Sequence, residues 1–197
     1  MCRGSPEAAD TLLIRSFLAG ERIAFDRLVL RYKDRVFNLC FRLLGDYHDA
    51  SDSAQETFIK VYRALPRFRF ESAFSTWLYR IAVNTCKSSR ASLAFRMKKS
   101  TVSLDGMDAG AQQGLEASTG NPHPTPDQEL ERRERERLLQ EAIDALPPQQ
   151  RTVVVLRDVE GLSYDEITRI TGLNPGTVKS KISRARLKLR GRLEGLL

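Results

Sequence analysis

"GLSYDEITRITGLNPGTVKSKISRARLKLR", residues 161 to 190, carries the ends of two helices within thirty positions. Ser163 and Glu166 have the spacing of a capping box, and Leu162 and Ile167 sit where a hydrophobic staple closes over a helix start. Gly172 suits the left-handed position just past the end of that helix. Asn174 and Pro175 then supply an N-cap and a first-turn proline for the next one. A helix, a short glycine turn and a second helix make a helix-turn-helix.

In the second of these helices Val178, Ile182, Ala185 and Leu189 form a packing stripe, which leaves Thr177, Lys179, Ser180, Lys181, Ser183, Arg184 and Arg186 facing outward. From Lys179 to Arg192 there are seven basic residues and no acid. A solvated face usually mixes signs, as the Glu-Arg run at 129 to 137 does, so this face favours DNA over water. Short residues near the helix start can approach the major-groove floor, and Lys and Arg reach guanine edges or phosphates.

Upstream, "QELERRERERLLQEAIDAL" from Gln128 is charged early and apolar late, and "PPQQRTVVVLRDVEG" follows a proline break. The run Val153 to Leu156 alone fits a short buried strand, but its polar flanks and helical surroundings favour a buried helix. Before it, residues 96 to 127 lose periodicity and gain Gly, Ser, Thr and Pro, a composition that repays little ordering entropy by burial. We expect a flexible linker there, about 30 Å in relaxed span and roughly 100 Å in contour.

Residues 11 to 95 again read as helices. Phe25, Leu28, Val29, Tyr32, Val36, Leu39, Cys40 and Leu43 recur at three- and four-residue spacing, and Gly45 stops that helix. A second helix is expected from about Asp49 to Leu65, with Ala50, Ala54, Phe58, Val61, Tyr62 and Leu65 on its buried face and Pro66 closing it. A third runs from about Phe74 to Ser92 after the loop "PRFRFESA". The predicted fold class is therefore all-α, two small helical domains joined by a flexible linker, the second containing the helix-turn-helix.

Composition narrows the function. The 197 residues hold 32 Lys plus Arg against 25 Asp plus Glu, a formal charge of +7 that favours a polyanion partner without naming one. Three scattered cysteines and two isolated histidines make neither a disulfide framework nor a metal site, and no apolar run is long enough to span a bilayer. A cytoplasmic protein is expected. No nucleophile beside a base, no carboxylate and histidine cluster and no phosphate-cradling glycine loop is present, so neither an enzyme, a cofactor nor a small-molecule substrate is expected.

Two features of the first half carry binding chemistry. Asp49, Asp52 and Glu56, with Gln55 beside them, share one side of the second helix. Such a cluster is either an ordinary acidic helix start, favoured by the macrodipole, or a docking face for a basic protein surface. The stretch "RFRFESAFSTWLYRIAVN", residues 67 to 84, interleaves aromatics with arginines. Phe74, Trp77, Leu78 and Ile81 fall on its packing side, and Arg80 and Asn84 lie one turn apart on the polar side.

Three strings, "GDYHDASDSAQETFIKVYRALPRF" (45 to 68), "SAFSTWLYRIAVNTCK" (72 to 87) and "ALPPQQRTVVVLRDVEGLSYDEITRITGLNPGTVKSKISRARLKL" (145 to 189), strongly resemble the extracytoplasmic-function sigma factors of bacterial RNA polymerase. The resemblance implies that the helical region 11 to 95 is domain 2, which binds core polymerase and melts the −10 element, and that 128 to 197 is domain 4, which reads the −35 element. The region 96 to 127 is the linker between them. It implies docking of Asp49, Asp52, Gln55 and Glu56 on core polymerase, on the β′ coiled coil, with the β subunit as a further surface.

By the same resemblance Phe68, Arg69, Phe70, Glu71 and Ser72 form the loop that captures an extruded −10 base, and Arg80, Asn84, Lys87 and Ser88 face the unpaired strand. Thr177, Lys179, Ser180, Ser183 and Arg184 fall on the −35 reading helix, and Arg157, Tyr164 and Arg186 match phosphate contacts. Promoter DNA, core polymerase and an anti-sigma factor are the implied partners. The sequence departs from the family at Phe70, where Gly is usual; a left-handed backbone there is costly for Phe. Two other classes, a ligand-sensing helix-turn-helix regulator and a DNA recombinase, would need an enclosed small-molecule pocket or a catalytic Ser or Tyr set among arginines.

Overall fold

The computed structural model describes residues 6–100 and 126–194. Its helices are α1 (Pro6–Leu18), α2 (Arg22–Leu44), α3 (Tyr47–Ala64), α4 (Phe74–Ser100), α5 (Pro126–Asp144), α6 (Pro148–Val154), α7 (Tyr164–Thr171) and α8 (Pro175–Leu193). A 3-10 turn over Leu65–Arg67 follows α3, and a π turn over Val155–Val159 continues α6. Among the described residues there is no strand, so the Val153 to Leu156 run is helical as expected.

Local chemistry sets most of the helix ends. Gly45 closes α2 at φ 82°, its N–H donating to the Phe41 carbonyl at 2.8 Å. Asp46 caps α3 by accepting from the Asp49 N–H at 2.8 Å. Ser163 and Glu166 form the full capping box of α7, Gly172 ends that helix at φ 72°, and Asn174 caps α8 at 2.7 Å from the Thr177 N–H.

Three expectations need correction. Helix α1 begins at Pro6 rather than near residue 11. The linker expected over 96 to 127 is too long, because α4 runs to Ser100 and α5 starts at Pro126. Once α4 is nucleated, strong helix formers such as Arg96, Met97 and Lys98 extend it one bond at a time. The remaining residues 101–125 lie outside the described residues. Tyr62 is not on the buried face of α3 but 43% exposed, its ring edge-on to Phe17 and Phe25 at the margin of α1 and α2.

In the first half α2, α3 and α4 close around Leu28, Val36, Leu39, Val61, Leu78 and Val83, all essentially inaccessible to solvent. Buried Asp10 pins α1 to this bundle, accepting from the Tyr32 hydroxyl at 2.5 Å and from Arg31 at 2.6 Å. Burial, together with Asp10, pushes the Tyr32 hydroxyl up. Cys40 and Cys86 are free thiols within the same core. In the second half the stripe Val178, Ile182 and Ala185 packs under α6, with Leu189 partly buried beside it.

The two helical domains pack against each other, which no sequence pattern announced. Their apolar residues merge into one continuous core. Carbonyls at the end of α2 receive donors from the other domain: Arg151 donates to Leu43 O at 2.9 Å, beside a longer contact from Arg90 at 3.4 Å, and Gln140 reaches Phe41 O at 3.4 Å in addition to the Gly45 N–H. At a second point Thr76 on α4 meets Glu166 on α7 at 3.2 Å, and Tyr79 donates to Glu160 at 2.8 Å.

Candidate nucleic-acid interface

Three surfaces collect the residues singled out by sequence. The first lies on α3. Its cap leaves Asp52, Gln55 and Glu56 exposed along one side, and Asp49 stands half-exposed in the first turn. Glu56 pairs with Lys60 at 3.4 Å across one turn, an exposed contact that restrains the carboxylate weakly. An acidic strip beside a basic domain leaves room for a basic partner and does little for folding.

The second surface is the loop after α3 together with the start of α4. Phe68 is buried, wedged against Trp77 at 5.0 Å and Phe74 at 6.0 Å between ring centroids. Arg69, Phe70 and Glu71 are exposed, and Ser72 is half-buried. Farther along α4, Arg80, Asn84, Lys87 and Ser88 all face solvent, one helical turn repeating the next. The packing side holds Phe74 and Leu78 buried, with Trp77 and Ile81 partly so, which is the division the sequence predicts.

A cavity of about 550 Å³ opens beside this loop, lined by Arg67, Phe68, Arg69, Glu71, Ser72, Thr76, Trp77, Arg80 and Arg169. Arginines around aromatic edges suit a ligand with a flat ring and a phosphate, which a single strand of nucleic acid offers. Sequence reasoning missed Thr76 and Arg169. Arg169 sits on α7, some ninety positions away, and no local pattern links it to the loop.

The third surface is the outward side of α8. Lys179, Ser180, Ser183 and Arg184 are exposed, and Thr177 is half-buried near the cap. None of Lys179, Ser183 and Arg184 makes an ion pair or hydrogen bond among the described residues; Ser180 donates to Thr177 O at 3.0 Å. The flanking positions are more constrained. Arg157 donates to Leu162 O at 2.7 Å and lies 5.0 Å over the Tyr164 ring, and Arg186 makes a two-point contact with Asp158.

The π turn produces this bracing. Glu160 N–H reaches back to Val155 O at 3.1 Å, and Leu162 N–H to Leu156 O at 3.0 Å. The widened backbone carries Arg157 toward α7 and Asp158 toward α8. Asp158 had no signal in the sequence beyond being an acid near a basic helix. Among the described residues no group of three or more His, Cys, Asp and Glu is placed to hold a metal, and no helix is long and apolar enough to cross a membrane.

Comparison with known proteins follows these surfaces. The model of sigma-70 region 2 matches residues 28–96, and that of sigma-70 region 4 matches residues 136–189. The RNA polymerase sigma-H factor of Pseudomonas aeruginosa is 40% identical over 188 residues, covering 95% of each chain. The ECF RNA polymerase sigma-E factor of Escherichia coli is 36% identical over 193 residues, covering 98% of each. Among solved structures, the sigma factor RpoE of Bartonella quintana bound to the anti-sigma factor NepR superposes with TM-score 0.68 at 22% identity, covering 86% of this chain and 96% of that one. CnrH bound to the cytosolic domain of CnrY superposes with TM-score 0.65 at 24% identity, covering 95% and 98%. These two likenesses concern the fold.

Proposed function

The chain belongs to the extracytoplasmic-function sigma factors of bacterial RNA polymerase, transcription initiation factors rather than enzymes, and we propose how its three surfaces divide that work. Domain 2, residues 11 to 95, docks on core polymerase and holds the melted −10 element; domain 4, residues 128 to 197, reads the −35 element. The single observation that carries this reading is the sorting of side chains. An acid strip on α3, an aromatic and arginine loop before α4 and a basic side of α8 on which Lys179 and Arg184 carry no ion pair among the described residues all stand exposed.

The acid strip of Asp49, Asp52, Gln55 and Glu56 is the contact for the β′ coiled coil. On α8, Arg184, Lys179, Ser180 and Ser183 read base edges; the side chains of Lys179, Ser183 and Arg184 are exposed and have no partner among the described residues. Arg157, Tyr164 and Arg186 grip phosphates, and their intramolecular bracing fixes where the backbone must lie. Around the loop, Arg80, Asn84, Lys87 and Ser88 follow the unpaired strand. Flipping a base costs a few kcal/mol and stacking it returns about 1 to 3, so capture shifts the melting equilibrium without fuel.

The two promoter elements lie about two duplex turns apart, roughly 70 Å. In the packed arrangement Thr76 of the −10 face and Glu166 of the −35 reader touch, at 3.2 Å. The seam must therefore open before both elements are bound, and core polymerase is the partner that separates the domains. An anti-sigma factor, the partner of the solved relative from Bartonella quintana, would act in the opposite sense by holding them. The protein works in the cytoplasm, where polymerase and promoter are.

Run-off transcription with purified core polymerase on a promoter library tests the reading. Transcripts that need this chain and share paired upstream elements are expected; core alone and the supplemented reaction giving identical products would refute it.

A further inference from the structure

Asp158 stands 28 positions before Arg186 and reaches it across the helix-turn-helix, accepting from Arg186 Nε at 3.0 Å and from Nη2 in a second, parallel bond. No acid occurs between Lys179 and Arg192, so the fold, and not the neighbouring sequence, brings this carboxylate to the basic helix. The π turn is the means. Its backbone bonds to Val155 O and Leu156 O open the end of α6 and send successive side chains, Arg157 and Asp158, to α7 and α8.

Stability does not explain the pair. The side chains of Asp158 and Arg186 are 35% and 53% exposed, and an ion pair in that much water contributes little to folding. Affinity does not explain it either, because a carboxylate beside a phosphate-gripping arginine repels the same phosphates within a Debye length of about 10 Å. What a two-point contact does supply is direction. A guanidinium carries its N–H groups in a rigid plane, and Asp158 occupies the Nε edge, so the donors left on Nη1 and Nη2 point one way. A free Arg186 would sweep many rotamers and reach a phosphate in almost any register of α8 on the duplex. A held Arg186 reaches one only where the groove seats α8 as its base-reading side chains need.

We propose that Asp158 is a positioning residue that sets −35 specificity, by confining the phosphate contact of Arg186 to the one seating of α8 in which Lys179, Ser180, Ser183 and Arg184 meet their bases. The inference rests on the −35 reading of α8 and adds a discriminating acid to it. Its mark is a sign: loss of Asp158 tightens binding to the wrong sequence more than to the right one.

The test uses the full chain assembled with core polymerase and a pair of promoter duplexes, one carrying the −35 element enriched by run-off from the library, the other with those −35 bases scrambled. The ratio of the two affinities is the readout. Asp158→Ala should lower it about three- to ten-fold, chiefly by tightening the scrambled duplex, a coupling of the size expected between charged groups in contact. Asp158→Glu, which restores the carboxylate, should stay within about two-fold of the wild type. In an Arg186→Ala background, Asp158→Ala should shift the ratio by less than about two-fold, since no arginine remains to be held. Equal tightening on both duplexes would reduce Asp158 to its charge, and equal weakening would reduce it to a structural contact. A ratio lowered as far in the Arg186→Ala background would show that Asp158 acts without Arg186, and each of these three results overturns the inference. A wild-type holoenzyme that prefers its −35 element while Asp158→Ala keeps that preference refutes this inference alone, and one that binds both duplexes alike refutes the −35 reading beneath it.

Discussion

Tyr79 donates its hydroxyl proton to Glu160 across 2.8 Å, joining the helix that carries Arg80 and Asn84 to the turn that carries Arg157 and Asp158. The two helical domains are thus tied through a carboxyl that is largely shielded from water. Burial pushes the Glu160 carboxyl above its ordinary value, while the Tyr79 hydrogen bond and the positive charge of Arg35 oppose the shift.

The sign of the consequence follows from linkage. A group whose value is raised in the closed form binds its proton more readily there, so closure is favoured below the ordinary value of 4.5 and weakens as pH rises through the raised one. Dyes placed on exposed positions of α3 and α8 should therefore separate, by energy transfer, as pH rises across that window. E160Q keeps an acceptor for Tyr79 without the charge, and should hold the domains closer and flatten the dependence. A wild-type distance that ignores pH would contradict this.

Arg151 is 4% exposed and spans the seam, donating to Leu43 O and pairing with Asp144 at 2.8 Å. Its replacement by Met removes the shorter of the two donors on Leu43 O and the cation facing Asp144, leaving the contacts from Arg90 at 3.4 Å and Gln140 at 3.2 Å. Removing one partner of a fully buried pair costs about 3 to 5 kcal/mol; because Asp144 is about a third exposed, we expect less, about 2 to 3 kcal/mol. Urea unfolding followed by circular dichroism measures it, and an unchanged midpoint would refute the role.

Gly45 combines a φ of 82° with a tight approach, since a Cβ there would lie 2.7 Å from Asp144 Oδ2. Gly45→Ala meets both the strained backbone and the carboxylate. A loss of about 1 to 3 kcal/mol is expected, recovered in part by the Asp144→Ala second substitution. Strict additivity of the two changes would show that the contact is absent in solution.

On α3, Asp52→Lys with Glu56→Lys reverses an exposed strip without touching the core. The melting temperature should stay within a degree or two while capture of core polymerase is lost. Normal capture by the folded variant would remove the acid strip from the docking surface.

Two arginines on α8 should separate into different classes. Arg184→Ala is expected to cost about 1 to 3 kcal/mol at particular −35 bases and little at others. Arg186→Ala should weaken binding evenly across sequences and lower the slope of log affinity against log salt by about one. Competition binding on a set of single-base −35 variants over a salt series distinguishes them, and sequence-independent loss in Arg184→Ala would reassign it to phosphate.

The helix-turn-helix was legible because Ser163, Glu166, Gly172, Asn174 and Pro175 act on backbone within a few positions of themselves. The polar stripe from Arg80 to Ser88 was legible for a similar reason, helical periodicity. Phe70 was flagged by sequence as an awkward residue for a left-handed turn, and the structure shows that turn made nonetheless. Asp158, Arg169 and the exposure of Tyr62 were not legible. Each depends on which helix comes to lie alongside, and periodicity assigns a face without naming its neighbour.

By itself, then, the sequence determined the helices, their ends and the outward chemistry of α3, α4 and α8, because capping, glycine and proline effects and side-chain period are local. Only the tertiary structure decided that the domains share a core and that Thr76 on α4 meets Glu166 on α7. Arg151, which donates to Leu43 O at 2.9 Å, stands 108 positions away. An orphan carbonyl at a helix end demands a donor, but nothing in its own sequence neighbourhood says which distant side chain will supply it.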